Sequence, residues 1–244
     1  MNMVQSTDRR VRSRAARRDA FLDATRDLIE EHGIEALTIK AVAARVDCAV
    51  GTLYTYFRSK GALLAALQAE AITRLGQSYD RASDRLEDDL AVLDVDTAAL
   101  ARLVAFGRSL VGVATVLPEE FRLQQRLLSA QTGYDEADLA LVAPVAFSVL
   151  SRPERLLREA AALGVLADGD AFDRTLTWVA AVNGVLALAS VEWPGGEGFD
   201  PATLADALHL DLLRAWGARP EVLAAAEAAV PRVRVTGLLA EADG

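Results

Sequence analysis

The chain has 244 residues, enough for one small and one medium-sized domain, and its hydrophobic content of 52% is ample for a buried core. The aromatic content of 6%, with abundant Ala and Leu, favours helices over sheets, and a single cysteine excludes an intramolecular disulfide framework. The net charge of −9 disfavours a nucleic-acid partner, but residues 1–60 hold 11 Lys and Arg against 8 Asp and Glu. A mildly basic N-terminal part therefore precedes an acidic remainder.

Two features bear on where the protein resides. The longest nearly apolar run, residues 178–191, spans about 14 residues and contains Asn183, so it is too short to cross a membrane. The arginine-bearing start lacks the apolar stretch of a secretion signal. Cys48 occupies an apolar turn position and is interpreted as a small core residue, with a redox sensor as the alternative. We expect a cytoplasmic protein.

Residues 1–16 are polar and arginine-rich, which predicts a disordered arm. Such an arm either binds nucleic acid or serves only as a solubilising tail. Residues 18–32 carry apolar side chains at helical spacing, and Gly33 is placed to end that helix. The helical rows are Phe21, Ala24 and Leu28 beside Leu22, Thr25 and Ile29.

Residues 38–60 predict two short amphipathic helices joined by a tight turn. Thr38 is placed to cap the first helix, and Asp47 is one of the few non-glycine residues that tolerate a left-handed turn backbone. The apolar rows are Ile39, Val42, Ala43 and Val46 in the first helix, then Val50, Leu53 and Phe57 in the second. This pattern is that of a helix-turn-helix, whose second helix can enter a DNA major groove.

The opposite face of the second helix is small and uncharged. Gly51, Thr52 and Thr55 point away from the apolar row, Tyr56 flanks them, and Tyr54 lies at the edge of the row. A slim face with hydroxyl and methyl groups suits close contact with base edges and phosphates. The alternative is an ordinary three-helix core with a polar surface.

Ser59 and Lys60 favour the DNA-binding interpretation. Ser59 is placed to cap the next helix, which puts Lys60 in its first turn, where a positive charge opposes the helix dipole. A docked phosphate would bind both the free N–H groups and the lysine. A solvated surface lysine leaves this unfavourable placement unexplained.

The stretch GTLYTYFRSKGALLAAL, preceded by TIKAVAARV and EEHGIEALT, resembles the DNA-binding domain of the tetracycline-repressor (TetR) family over residues 17–68. The resemblance implies an all-α protein with an N-terminal three-helix helix-turn-helix domain, residues 17–61, and a larger helical-bundle domain for ligand binding and dimerisation, residues 62–230. A flexible tail, residues 231–244, is expected to follow. By position, the implied DNA-contacting residues are Thr38, Lys40, Val50, Gly51, Thr52, Tyr54, Thr55, Tyr56 and Lys60.

The sequence departs from the family pattern at two positions. Asp47 stands where the family has a turn glycine, and Ala49 stands where Ser or Thr usually caps the recognition helix. Loss of that cap costs about 1 kcal/mol, so the helix is expected to fray without DNA.

In the resembled family, the last two long helices of the body form a four-helix bundle with their copies in a homodimer. Residues 171–192 and 201–216 match that description in order, length and apolarity. Two recognition helices on a twofold axis would read half-sites about 34–36 Å apart. Before these helices, residues 135–150 predict a helix kinked at Pro144, and residues 151–164 predict a separate helix.

The resemblance also implies a small hydrophobic effector in the body and no cofactor. The candidate pocket residues, each of which could equally be ordinary core, are Phe106, Leu110, Phe121, Phe147, Trp178 and Asn183. Asn183, a polar amide on an apolar helix, needs a ligand, a dimer mate or a backbone partner. The expected function is that of a transcriptional repressor that binds a double-stranded, pseudo-palindromic DNA operator. The small apolar effector is expected to release the repressor from the operator.

An enzyme is not expected. His32 and His209 are the only histidines, they lie far apart in sequence, and no metal-ligand cluster, nucleophile elbow or phosphate loop is present. The alternative to a regulator is an all-helical, dimeric interaction or ligand-binding protein with weakened or lost DNA binding, which Asp47 and Ala49 would favour.

Overall fold

In the computed structural model, which describes residues 2–128, 134–188 and 200–243, every regular element is a helix. The helices in chain order are α1 (Asn2–His32), α2 (Ile39–Arg45), α3 (Val50–Tyr54), α4 (Lys60–Leu90), α5 (Val95–Val116), α6 (Pro118–Leu128), α7 (Glu136–Ala162), α8 (Ala171–Ala187), α9 (Pro201–Ala215), α10 (Pro220–Ala229) and α11 (Arg232–Asp243). The all-α prediction is confirmed.

The chain divides into two units. One comprises residues 1–71 and 126–144, and the other comprises residues 72–125 and 145–244. The sequence predicted a division after residue 61, whereas α4 contributes its first turns to the first unit. Residues 126–144 rejoin that unit after a long excursion of the chain.

The core of the first unit is built from the apolar rows that the sequence shows. All six side chains of the two predicted rows in α1 are buried. They pack with α2, where Val42 and Ala43 are buried, and with Leu53 and Phe57 around α3. The ring of Phe21 lies 6.4 Å from that of Phe57, edge to face. Burial of these rows stabilises the unit, and it is needed most by α2 and α3, which are 7 and 5 residues long and would be marginal alone.

Helix α5 lies at the centre of the second unit and packs against α8, α9, α10 and α11. It is long and apolar enough to cross a membrane, but 72% of its apolar window is buried inside the protein. Helices of this kind are also typical of the core of a water-soluble domain. Within the apolar run 178–191, residues 189–191 lie outside the described part of the chain.

Three helix ends follow the glycine rule used in the sequence analysis. Gly33, Gly164 and Gly217 follow α1, α7 and α9, and all three have positive φ, of 77°, 71° and 101°. A residue with a Cβ is strained in this left-handed region, which glycine adopts freely.

The termini and α7 differ from expectation. Helix α1 begins at Asn2, so the region expected to be a disordered arm continues the helix, as a sequence without Pro or Gly permits once a helix is nucleated. Helix α11 occupies the expected flexible tail and buries Val235 and Leu239. Helix α7 runs through both Pro144 and Pro153, whereas the sequence suggested two helices.

Candidate DNA interface and ligand cavity

Helices α2 and α3 form the predicted helix-turn-helix. Thr38 has an extended backbone, and its hydroxyl accepts a hydrogen bond from the N–H of Ala41 at 3.1 Å, which confirms it as the N-cap of α2. Asp47 is the non-glycine residue with positive φ, 49°, in the described part of the chain. The aspartate therefore adopts the turn conformation for which the resembled family uses glycine.

Helix α3 exposes most of the side chains predicted to contact DNA. Leu53 is fully buried and anchors the helix. Tyr54 is 51% exposed and Val50 is 37% exposed, so Val50 belongs to the outer surface rather than to the apolar row. Gly51 and Thr55 are exposed as well, while Thr52 and Tyr56 are half-buried and Thr38 and Lys40 on α2 are exposed.

Tyr56 also braces the helix. Its ring lies 5.3 Å from that of Phe21, and the Arg14 guanidinium lies 5.5 Å from the Tyr56 ring centroid. The same guanidinium lies 3.5 Å from the carbonyl oxygen of Thr55. Cation–π contacts of this kind stabilise modestly at exposed sites, and here they place an arginine of α1 beside the end of α3.

The start of α4 is capped as predicted. The hydroxyl of Ser59 accepts a hydrogen bond from the N–H of Ala62 at 3.0 Å, and half-buried Lys60 is the first residue of the helix. Ala49 makes no side-chain cap at α3, which is only five residues long. The predicted loss of that cap is confirmed.

Sequence reasoning missed Arg58, between α3 and α4. Its guanidinium donates to both carboxylate oxygens of Asp135 at 2.5 Å and to the buried carboxylate of Asp138. These hydrogen bonds raise the pKa of Arg58 and lower the pKa of Asp135 to about 2. Tyr134, two residues before α7, donates to Gln68 of α4 at 2.5 Å, which is a second contact of this segment within the first unit.

The two aspartates also cap α7 reciprocally. The N–H of Asp138 donates to Asp135 at 2.9 Å, and the N–H of Asp135 lies 3.3 Å from a carboxylate oxygen of Asp138. This is a capping box with Asp in both positions. The spacing Asp-x-x-Asp before an apolar run signals the cap in the sequence, but nothing local indicates the pairing with Arg58, 77 residues away.

The second unit contains a small, mostly apolar cavity of about 50 Å³. Four of the six predicted pocket residues line it: Phe106, Leu110, Phe121 and Asn183. Its other lining residues come from α4, α5, α6 and α7: Ile72, Leu75, Tyr79, Ser109, Val113, Gln124 and Val149. Among the described residues, no Asp, Glu, Lys, Arg or His lines it, so its lining favours an uncharged apolar group.

The other two predicted pocket residues lie elsewhere. Phe147 is 58% exposed, because it lies on the outer side of α7. Trp178 is fully buried behind Phe106, with 5.4 Å between ring centroids, and belongs to the core. The Asn183 amide oxygen accepts from Gln125, and its nitrogen donates to the carbonyl of Val179, each at 2.7 Å. Asn183 therefore takes a side-chain and a backbone partner.

A buried polar cluster lies around α5 and α9. Arg108 donates to the carbonyls of Val230 and of Glu227, the latter at 3.0 Å, and lies 3.4 Å from an Asp206 carboxylate oxygen. His209 is fully buried, with Nε2 at 3.2 Å from Asp206. Desolvation lowers the pKa of His209, opposed by the hydrogen bond to Asp206. Within the described ranges, no group of three His, Cys, Asp or Glu could hold a metal ion.

A capped α2, a left-handed turn and an α3 with an exposed slim face define a helix-turn-helix domain, which the chain continues into a helical unit with a small, partly open cavity. Residues 21–67 match the family described as bacterial regulatory proteins, tetR family. The match covers α2, α3 and the start of α4.

The similarity to individual proteins is strongest in the same domain. The HTH-type transcriptional repressor KstR of Mycolicibacterium smegmatis is 45% identical over 67 residues, which are 28% of this chain and 33% of KstR. The match thus spans about a third of that relative's length.

Solved structures resemble the whole fold. SmeT, the repressor of the Stenotrophomonas maltophilia multidrug efflux pump SmeDEF, is 27% identical, with a TM-score of 0.55 over 84% of this chain and 92% of SmeT. RolR in complex with resorcinol is 19% identical, with a TM-score of 0.57 over 91% of this chain and 96% of RolR.

Proposed function

We propose that the protein is a ligand-responsive DNA-binding transcriptional regulator: a cytoplasmic, homodimeric repressor that a small apolar effector releases from a pseudo-palindromic operator. It is not proposed to be an enzyme. The observation that carries the proposal is the exposed face of α3, which continues to Lys60 at the capped start of α4. The tetR-family match over the same residues supports it.

The DNA-contacting residues are proposed in two roles. Val50, Gly51, Thr52 and Thr55 approach base edges, because their side chains are small and most are exposed. The remaining five residues, which carry hydroxyl or amino groups, bind phosphates or fix the docking of α3. They are Thr38, Lys40, Tyr54, Tyr56 and Lys60.

A homodimer formed by α8 and α9 is proposed because both helices leave apolar side chains on the surface. Phe172 and Leu176 on α8 are 38% and 43% exposed, and Leu204 on α9 is 44% exposed. Large exposed side chains of this kind are typical of an interface. Residues 189–192 of the expected dimer helix lie outside the described part of the chain.

The size of the cavity bears on how an effector would release the protein from DNA. Pockets for small molecules are usually about 300–1,000 Å³, several times the volume found, so an effector has to move the cavity walls. Three wall residues, Ile72, Leu75 and Tyr79, belong to α4, the helix that begins at Lys60. A coupling of about 1–3 kcal/mol between effector and DNA would shift operator occupancy usefully. RolR, of the same fold, holds resorcinol.

The test is a selection of random duplex oligonucleotides with the purified protein, followed by binding to the DNA upstream of its own gene. Recovery of a pseudo-palindrome, with binding lost in the Tyr54→Phe, Lys60→Ala double variant, is the expected result. If the parent protein enriches no sequence, or the double variant binds equally well, the chain is instead an interaction or ligand-binding protein.

A further inference from the structure

An open groove of about 370 Å³ lies next to the apolar cavity, at the surface of α4, α5 and α7. Tyr79 lines both the groove and the cavity. The inner cavity is about 50 Å³. The side chains that give the groove its charge are Asp80, Asp84, Glu87, Arg102, Arg155 and Glu159.

Tyr79 contacts a residue of each of the two spaces. On the inner side it packs edge to face on Phe106, with 5.0 Å between ring centroids. Its hydroxyl hydrogen-bonds the side chain of Ser83, which lines the groove. The tyrosine is half-buried, so part of its side chain borders solvent, and a rotamer that carried the ring outward would join the two spaces. The joined space would reach the usual volume of a small-molecule pocket.

The two ends of the joined space differ in polarity. The inner end has no ionised side chain among its described lining residues. At the groove end, carboxylates outnumber guanidinium groups. Glu87 is bound by Arg102 at 2.7 and 2.9 Å, and Asp80 is bound by Arg152 at 2.6 and 2.7 Å. Asp84 has no ion pair within the described residues. Its carboxylate therefore gives the groove a negative charge beside the Tyr79 ring.

We propose that the Tyr79 side chain gates the effector site and that the site binds an amphipathic organic cation. The apolar body of the ligand would replace the Tyr79 ring against Phe106, and its charged nitrogen would lie in the groove near Asp84. The ring of Tyr79 in its outward position could add a cation–π contact. This inference rests on the proposed function, because it treats the cavity as the effector site.

The test is calorimetric binding of phenethylamine, phenethyl alcohol and phenylacetate to the DNA-free full-length protein at neutral pH. These probes share an aromatic body and differ in charge. Since one exposed charge contact changes binding by up to about fivefold, we expect the amine to bind at least several-fold more tightly than phenylacetate. Asp84→Asn should reduce that preference, and Asp88→Asn, an exposed acid on α4 outside the groove, should preserve it.

Tyr79 is tested by its own variants. Tyr79→Phe, which removes the hydroxyl bonded to Ser83, should speed association of the amine, and Tyr79→Trp should slow or abolish it. Thermal unfolding of each variant checks that the unit is folded. Equal binding of all three probes, tighter binding of phenylacetate, no binding of any probe, or indifference to both Tyr79 variants overturns the inference. DNA binding is measured separately without probe, so loss of the proposed function is recognised independently.

Discussion

The side chains of Arg58 and Asp138 form an ion pair between the segment after α3 and the first turn of α7. The Asp138 carboxylate is 3% exposed, whereas the Arg58 guanidinium is half-exposed. Asp135 binds the same guanidinium from the N-cap of α7. Because a buried carboxylate needs a cation and hydrogen-bond donors, Arg58 neutralises Asp138 and fixes the chain just after α3.

We predict that Arg58→Gln weakens operator binding and lowers the thermal midpoint, since it leaves the Asp138 carboxylate buried without its cation. Asp138→Asn should be milder, because it removes the buried charge together with the ion pair. The double variant should be more stable than Arg58→Gln alone, and this non-additivity is measured by a double-mutant cycle in thermal unfolding. Additive losses would show that the pair contributes nothing specific.

The control for Arg58 is Arg158→Gln. Arg158 pairs with Glu154 four residues earlier on the exposed side of α7, and its side chain is 64% exposed. Surface pairs of this type contribute little, so operator binding and the thermal midpoint should stay close to those of the parent protein.

Ala49 supplies the second prediction. Ala49→Ser should cap α3 and stabilise the protein by about 0.5–1 kcal/mol. DNA binding should also become tighter, because less of α3 has to become ordered when the protein binds the operator. Ala49→Asp should stabilise α3 as well, since its charge favours the helix N-terminus, but it should weaken DNA binding by repelling phosphate. Chemical unfolding and operator titration are the two measurements. If the serine and aspartate variants change DNA affinity in the same direction, Ala49 does not lie near the phosphates.

The caps and most of the apolar rows, Val50 excepted, could be predicted because they depend on neighbours within about one helical turn. Thr38, Asp47 and Ser59 were read correctly for that reason. The pairing of Arg58 with Asp135 joins residues 77 positions apart, and no local pattern contains it. Phe147 was misplaced because apolar character alone does not give the side of α7 that faces the core.

The body was harder to predict than the helix-turn-helix. Val235 and Leu239 are spaced for one face of a helix and pack in the core. Both lie in residues 231–244, which the sequence analysis expected to be a flexible tail. The match to the tetR family stops at residue 67, so family resemblance could not guide the body as closely as it guided the DNA-binding domain.

Lys60 gives the third prediction, which concerns salt. If each protomer of a bound dimer places Lys60 on a phosphate, Lys60→Gln should reduce the slope of log K against log salt by about 1.8, since each phosphate contact contributes about 0.9. The affinity should fall for specific and non-specific DNA alike. Lys40→Gln is a useful comparison, because Lys40 is exposed and is proposed as a second phosphate contact. An unchanged slope in the Lys60 variant would remove that residue from the interface.

A pair of glycines in α5 gives the fourth prediction. A Cβ on Gly107 would lie 2.4 Å from Nδ1 of His209, a buried ring stacked on Trp178. Gly107→Ala should therefore destabilise the protein by roughly 1–3 kcal/mol. A Cβ on Gly112 would lie 3.0 Å from the Cδ1 atom of Leu239, a side chain that can change rotamer, and at ordinary contact distances of 3.5 and 3.9 Å from Oγ1 and Cα of Thr236. Gly112→Ala should be nearly neutral, because the better helix propensity of Ala offsets the contact. Equal unfolding midpoints for the two variants would contradict this prediction.

The last prediction concerns pH and His209. The groups that face this ring are Asp206 at Nε2, Gly107 at Nδ1, Trp178 on one side, and the charges of Arg108 and Glu227 nearby. Nδ1 has no hydrogen-bond partner, so a second proton there would be buried without an acceptor. Burial therefore lowers the pKa of His209, and the partial compensation comes from Asp206.

The direction of the pH effect follows from linkage. The unfolded chain binds a proton at His209 near its ordinary pKa of 6.5, while the folded chain binds it only at lower pH. The free energy of unfolding should thus be constant above about pH 7 and fall as the pH drops below about 6.5. His209→Gln, which stays neutral, should be less stable at neutral pH but lose less stability on acidification. His32→Gln, at the exposed end of α1, should retain the parent slope. Denaturant unfolding between neutral pH and about pH 5 measures this, and an identical slope in the His209 variant would exclude the residue as the cause.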